Sequence, residues 1–282
     1  MTAAPVTRSP RQTDDVRGED AMTAMPSTYG RRSALAQGMT LARRSLVPLR
    51  NEPGRLVQFL LQPIFMVVVF VLMFGAMSGD PEHAARYLMP GVLTQVALLS
   101  TNTTGMNLAE DIVNGVFDRF RSMPIARSAP LVGRVTADAL TTAATISVAL
   151  LAGIAAGFRI TATPLEALGG LALLLVFTLA LSWVSAWLGL KARSVASMQG
   201  TATAVLLPLT FGSSAFIPPA NLPGVLRWWS SVNPVSHLAD AVRALLTGAP
   251  VGAHVWVTLA WAAAVTACFV PLAVRAYTRR IR

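Results

Sequence analysis

Residues 110–127 read Glu110-Asp111-Ile112-Val113-Asn114-Gly115-Val116-Phe117-Asp118-Arg119-Phe120-Arg121-Ser122-Met123-Pro124-Ile125-Ala126-Arg127, a charge-rich stretch between two long apolar runs. Val113, Val116, Phe117 and Phe120 recur at spacings of three and four, which places them on one face of a predicted helix. Pro124 ends this helix, because proline lacks an N–H and disfavours an α conformation at the residue before it. Two interpretations follow: a helix that docks on a soluble partner, or a solvated turn that carries basic residues.

The composition indicates a membrane protein. Of 282 residues, 54% are hydrophobic and 13% are charged, and the mean hydropathy is +0.55. A soluble domain carries roughly 25% charged residues. The net charge of +10 would suggest nucleic acid for a soluble protein, but basic residues sorted to one side of a membrane explain it here. We therefore expect membrane lipid around the chain and no nucleic-acid partner.

Six charge-free intervals are each long enough for a membrane-spanning helix, which needs about 20 residues. They are 56–79, 87–109, 139–158, 167–190, 194–226 and 244–274. The last two exceed the length of one span, so each predicts extra re-entrant or interfacial structure. In particular, prolines and tryptophans between 216 and 250 predict two short helices that dip partly into the outer leaflet.

The basic residues predict the orientation of these spans. All 23 of them, except Arg86, Arg159, Arg227 and Arg243, fall on the side that holds both termini. The positive-inside rule then makes both termini cytoplasmic. Residues 1–32 are interpreted as a disordered tail, and residues 33–282 as one transmembrane domain. This domain begins with a basic amphipathic helix, 33–50, in the inner headgroup layer.

The sequence offers no catalytic constellation. The single lysine, Lys191, is not part of a Gly-Lys-Ser/Thr phosphate-binding motif, so the energy for any ATP-driven work has to come from a partner. The single cysteine, Cys268, lies in an apolar run. The three histidines, His83, His237 and His254, are far apart in sequence, so we expect no metal site.

Polar residues inside the second and fifth predicted spans are candidates for a substrate path, since such groups are costly in a bilayer unless they face a cavity or a partner helix. The alternative is hydrogen bonding between helices, worth about 0.6 kcal/mol per contact. The candidates are Gln95, Thr101, Asn102, Thr104, Asn107, Thr203, Thr210, Ser213 and Ser214. Asp138 follows Arg134 by one helical turn, which predicts an ion pair; a proton relay through Asp138 is the alternative.

Three stretches carry a family resemblance. They are Gly115–Ile125 with Gly133-Arg134-Val135 and Asp138; Ser213-Ser214-Ala215-Phe216-Ile217-Pro218-Pro219; and Asn233-Pro234-Val235-Ser236 with Ala241–Leu246. With them, residues 33–280 resemble the type-2 ABC exporter permeases, and most nearly the daunorubicin/doxorubicin-resistance branch.

The resemblance implies an all-α integral membrane fold with six transmembrane helices. It adds an amphipathic N-terminal elbow helix, a cytoplasmic coupling helix and outer re-entrant helices before the last span. It also implies a second permease, identical or paralogous, and two copies of a separate ABC ATPase subunit that bind ATP and magnesium. This chain itself is expected to bind no cofactor. The coupling residues expected to contact the ATPase are Glu110, Asp111, Val116, Phe117, Asp118, Arg119, Phe120 and Arg121.

The expected function is that of the permease subunit of an ATP-driven exporter in the bacterial plasma membrane. Mostly apolar spans favour a hydrophobic or amphiphilic substrate, such as a drug or antibiotic, or else a lipid or lipid-linked glycan. The outward direction follows from the resemblance alone. The alternative is an ion-coupled secondary transporter, which calls for intramembrane carboxylates and an internal repeat. Spans one to three do not resemble spans four to six.

Overall fold

The computed structural model describes residues 61–77, 79–115 and 129–281, and every regular element within these ranges is helical. Helix α1 covers 61–77 and includes a π-helical stretch, Val68–Met73. The other helices are α2 (Pro81–Val113), α3 (Ala129–Ala155), α4 (Pro164–Lys191), α5 (Val195–Phe211), α6 (Gly224–Val232), α7 (Pro234–Thr247) and α8 (His254–Ile281). A single 3-10 turn, Pro219–Asn221, precedes α6.

Helix α4 lies at the centre of the bundle, in contact with α2, α3, α5, α7 and α8. It begins with a capping box: Thr163 accepts a hydrogen bond from the Glu166 N–H, and the Glu166 carboxylate accepts one from the Thr163 N–H. Pro164, at the first helical position, needs no hydrogen-bond partner for its nitrogen. The helix buries Leu174 and Phe177 completely, and a central position explains why it carries no polar face.

Helices α2 and α4 cross with their backbones in contact. A Cβ atom at Gly189 of α4 would overlap the backbone of Gly105 in α2. Along α2, Met89, Leu93 and Leu98 are fully buried in the main apolar core. The small residues at the crossing let the two helices approach closely, so that larger side chains elsewhere along them can interdigitate.

Three helices within the described ranges are long and apolar enough to cross a membrane: Gly133–Ala155, Pro164–Lys191 and His254–Arg279. They correspond to the third, fourth and sixth predicted spans. Helix α5 is apolar but has only 17 residues, and the apolar part of α1 is also short. Helix α2 has 33 residues, but its Thr, Asn and Gln side chains lower its hydropathy.

The bundle has two ends, which α2 connects. About 36 Å of helix separates Tyr87 from Asp111, at 1.5 Å per residue. The Tyr87 end holds α6, α7 and the start of α8, and the Asp111 end holds the starts of α3 and α5 and the ends of α4 and α8. The two short helices expected between the last two spans are present as α6 and α7.

Candidate functional site

Two of the predicted ATPase-coupling residues lie where α2 ends. Glu110 is exposed and Asp111 is half-buried in its last turn, and Asn114 caps the helix. Gly115 then adopts a left-handed φ of 66°, a conformation that glycine permits and that ends helices. The remaining coupling residues lie outside the described residues: Val116, Phe117, Asp118, Arg119, Phe120 and Arg121.

An ion-pair cluster joins α2 to α3 next to residues 110–121, which hold the predicted coupling residues and are called the coupling stretch below. Arg134 of α3 lies 3.6 Å from Asp138 (Nε to Oδ1) and 4.0 Å from Asp111 of α2 (Nη1 to Oδ2). The predicted pair between Arg134 and Asp138 is thereby confirmed. Burial raises the pKa of the Asp111 carboxyl, and the positive charge of Arg134 opposes this rise. The cluster therefore ties the end of α2 to the start of α3.

Apolar packing beside this cluster brings α4 and α8 into contact with the end of α2. Leu108 of α2, Leu190 of α4 and Tyr277 of α8 are buried together. The end of α2 is therefore in contact with α3, α4 and α8 at this end of the bundle.

The predicted substrate-path residues fall into two groups by exposure. Gln95, Thr101, Thr104, Thr210, Ser213 and Ser214 are buried within the chain, whereas Asn102 and Asn107 are half-buried and Thr203 is exposed. Most of the buried hydroxyl groups bond inside the chain. Thr101 donates to the Leu98 carbonyl at 2.7 Å, Thr210 to the Leu206 carbonyl at 2.7 Å and Ser213 to the Thr210 carbonyl.

A second polar network, at the Tyr87 end, was not predicted from the sequence. The guanidinium of Arg243 in α7 lies over the Tyr87 ring of α2, 3.9 Å from its centroid, and its Nε donates to the Tyr87 carbonyl at 3.2 Å. Its Nη2 also donates to the carbonyls of Ser214 and Ala215, each at 3.3 Å. Asp240, one turn earlier in α7, pairs with Arg243 and accepts from the Ser214 hydroxyl at 2.9 Å.

This network fixes the turn that follows α5. The Tyr87 hydroxyl donates to the Ser214 carbonyl at 2.9 Å, and a Cβ atom at Gly91 would overlap the Ala215 carbonyl oxygen. Asn233, at the start of α7, donates to the Leu209 carbonyl of α5 at 2.7 Å. Helices α2, α5 and α7 are therefore held together at the Tyr87 end.

Two of the three histidines come together at this end, although 17 positions separate them in sequence. The Nδ1 atoms of His237 in α7 and His254 in α8 are 3.2 Å apart, and His237 Nε2 lies 3.0 Å from the Ser231 carbonyl oxygen. The pair could not be foreseen from spacing, because it depends on how α7 turns back towards α8.

Residues 36–247 match the ABC-2 type transporter family. The chain belongs to this family. It is 32% identical, over 89% of both chains, to the daunorubicin resistance ABC transporter permease protein DrrB1 of Streptomyces coeruleorubidus. It is also 23% identical to the probable doxorubicin resistance ABC transporter permease protein DrrC of Mycobacterium tuberculosis, over 91% of this chain and 94% of the relative. The doxorubicin resistance permease protein DrrB of the same organism is 31% identical over 48% of this chain and 50% of its own.

The family assignment confirms the resemblance seen in the sequence. Membership of the ABC-2 family, together with three helices able to cross a membrane, makes this chain a multi-pass membrane protein. The match to residues 36–247 includes the coupling stretch, the ion pairs of Arg134, the network around Arg243, and His237, whereas α8 lies outside it.

Proposed function

We propose that this chain is the permease subunit of an ATP-driven ABC exporter that moves a hydrophobic or amphiphilic substrate out of the cell. The observation that carries the proposal is the 32% identity to DrrB1, which extends over 89% of both chains and so leaves no large part of either unmatched. A drug or antibiotic is the favoured substrate class, because the relatives are named for daunorubicin and doxorubicin resistance. A lipid or lipid-linked glycan shares the same amphiphilic chemistry.

The energy would come from two copies of a separate ABC ATPase that carry ATP and magnesium. Val116, Phe117 and Phe120 would insert into a groove of this partner as apolar anchors. Glu110, Asp111, Asp118, Arg119 and Arg121 would form charged pairs around them. The ion pair of Arg134 with Asp111 supports this role, since it joins α3 to α2, the two helices next to the coupling stretch.

In the membrane we propose six spans with both termini in the cytoplasm and an elbow helix at 33–50. Helices α1, α2 and α5 would form the other three spans, beside the apolar helices α3, α4 and α8. Helix α2 is long enough for this at about 50 Å. The polar residues that lower its hydropathy would lie in the interior of the assembly. A second permease, identical or paralogous, would lie against α5, where Val205, Leu207 and Phe211 are exposed.

The substrate would contact Asn102, Asn107 and Thr203, the three predicted path residues that the chain leaves at least partly exposed. Ser213 and Ser214, in contrast, use their hydroxyls to hold the turn after α5. Gln95 is buried, and its Oε1 has no hydrogen-bond partner among the described residues. We assign Gln95 to the path because such an atom calls for a partner from outside this chain or for water.

Affinity purification of the tagged permease in mild detergent tests this proposal. The double variant Phe117→Ala/Phe120→Ala is compared with the wild type, and any copurified protein is assayed for ATP hydrolysis. We expect an ATPase to copurify with the wild type and to be lost, at least ten-fold, from the double variant, because two apolar anchors have been removed.

Phe65→Ala/Phe74→Ala serves as the matched control, since it removes two exposed aromatic rings from α1 and leaves the coupling stretch unchanged. This control is expected to retain the ATPase. If no ATPase accompanies the wild type, the exporter proposal is wrong. If the ATPase remains on the Phe117/Phe120 variant, the assignment of the coupling residues is wrong.

A further inference from the structure

His237 and His254 form a cluster that the proposed transport function does not use. His237 lies on α7 and His254 is the first residue of α8, so the pair links the short helices of the Tyr87 end to the last span. Both side chains are half-buried, and their ring centroids are 5.4 Å apart.

The hydrogen bond of His237 decides where its lone pair lies. The Ser231 carbonyl oxygen, 3.0 Å from His237 Nε2, can only accept, so Nε2 carries the proton of the neutral ring. Its Nδ1 is then unprotonated and lies 3.2 Å from His254 Nδ1. Metal-binding histidines commonly donate their second ring N–H to a backbone carbonyl in this manner, which fixes both tautomer and ring orientation.

The separation of the two Nδ1 atoms suits a shared metal ion. Zinc binds imidazole nitrogen at about 2.0–2.1 Å, so two nitrogens 3.2 Å apart subtend an angle of about 100° at the metal. This angle is close to the tetrahedral value of about 109°. Imidazole nitrogen suits zinc, copper and nickel rather than magnesium or calcium.

We propose that His237 and His254 bind one divalent transition-metal ion of this class, with water completing the coordination. Among the described residues, no group of three or more His, Cys, Asp or Glu side chains is placed to hold a metal, so two ligands are counted within the part of the chain that the structure describes. A bound ion would join α7 to α8 by two coordinate bonds and stabilise the folded chain in proportion to its occupancy.

Metal binding by the full-length chain tests this proposal directly. The protein is purified through an affinity tag that contains no histidine, stripped with a chelator and titrated with zinc in competition with a chromophoric chelator. The variants are His237→Gln, His254→Gln and, as the matched control, His83→Gln, which replaces the exposed third histidine of the chain. We expect one ion per chain for wild type and control, and at least a ten-fold loss of affinity in each of the other two variants.

Electron paramagnetic resonance of bound copper keeps the test decisive if the site variants fail to fold. In the His83→Gln protein, where only the two site histidines remain, the spectrum should show two coordinated nitrogens. A spectrum with one nitrogen or none would overturn the proposal, as would zinc affinities in His237→Gln and His254→Gln equal to that of the control. The contact would then be a hydrogen bond between two imidazole rings only.

Discussion

At the scale of single residues, Arg243 connects more of the chain than any other side chain of the Tyr87 end described above. One guanidinium reaches the Tyr87 ring and carbonyl on α2, two carbonyls of the turn after α5, and Asp240 on its own helix. These contacts use the planar fork of arginine, with a separate N–H aimed at each acceptor. A lysine keeps the charge but has one compact ammonium, which cannot reach all of these acceptors at once.

Arg243→Lys is therefore expected to destabilise the chain although the charge is unchanged. Hydrogen bonds to charged groups are worth about 1.5–3 kcal/mol, and we expect a loss of about 2 kcal/mol of unfolding free energy. The measurement is thermal unfolding of the purified permease in detergent, followed by tryptophan fluorescence.

Arg86→Lys is the control for this change, since Arg86 forms an exposed pair with Glu82 on α2. Exposed pairs contribute about 0–1 kcal/mol, so its melting temperature should remain close to that of the wild type. Equal melting temperatures for the two variants would show that the network around Arg243 does not hold the Tyr87 end together.

Residue-level contacts could be predicted from the sequence only where they are local. The pair of Arg134 with Asp138 follows from their spacing of four on one helix, and the structure confirms it. Asp240 and Arg243 show a comparable spacing of three. Their partner Tyr87 is more than 150 positions away, and only the packing of α2 on α7 brings it close.

At the scale of the helices, the crossing of α2 and α4 depends on glycine. The two backbones touch at Gly105 and Gly189, and Ser185 also lies close to the position that a Cβ at Gly105 would take. A backbone neighbour cannot move aside as the end of a flexible side chain can. The crossing therefore sets the distance between the two most central helices of the Asp111 end.

Gly189→Ala is expected to force these helices apart. Overpacking of a tightly packed interior typically costs about 1–3 kcal/mol, which should appear as a lower melting temperature and a less monodisperse elution in gel filtration.

Gly169→Ala provides a control on the same helix, because a Cβ there would meet nothing within 4 Å. Alanine favours a helix over glycine by up to about 1 kcal/mol, so this control should melt at the wild-type temperature or slightly above it. A Gly189→Ala protein as stable as Gly169→Ala would contradict the close crossing.

Helix existence was easier to predict than helix length. Helix α4 is continuous and apolar, and its predicted interval, 167–190, lies within Pro164–Lys191. The predicted interval 194–226 instead divides into α5, a 3-10 turn and the start of α6. The interval carries no charged residue that would mark a boundary, so the division depends on prolines 218, 219 and 223 and on the contacts of the turn after α5.

At the scale of the whole molecule, the helix directions bring most of the described basic residues to one end of the bundle. Helix α4 runs from Thr163, at the Tyr87 end, to Lys191, beside the Asp111 end. The basic residues of the loop after α4, of the start of α3 and of the end of α8 all lie at the Asp111 end. By the positive-inside rule, such a concentration supports the proposed topology, in which this end faces the cytoplasm.

Cysteine labelling on intact cells tests this orientation. The native Cys268 is first replaced by serine, which leaves a chain without cysteine. Single cysteines are then introduced as Ala220→Cys, in the exposed turn before α6, and as Ala196→Cys, in the exposed first turn of α5. A membrane-impermeant maleimide should label position 220 in intact cells and position 196 only after permeabilisation, because the two sites lie at opposite ends of a bundle that spans the bilayer. The reverse pattern would invert the proposed topology and place the coupling stretch outside the cell, where no ATP-driven partner could act on it.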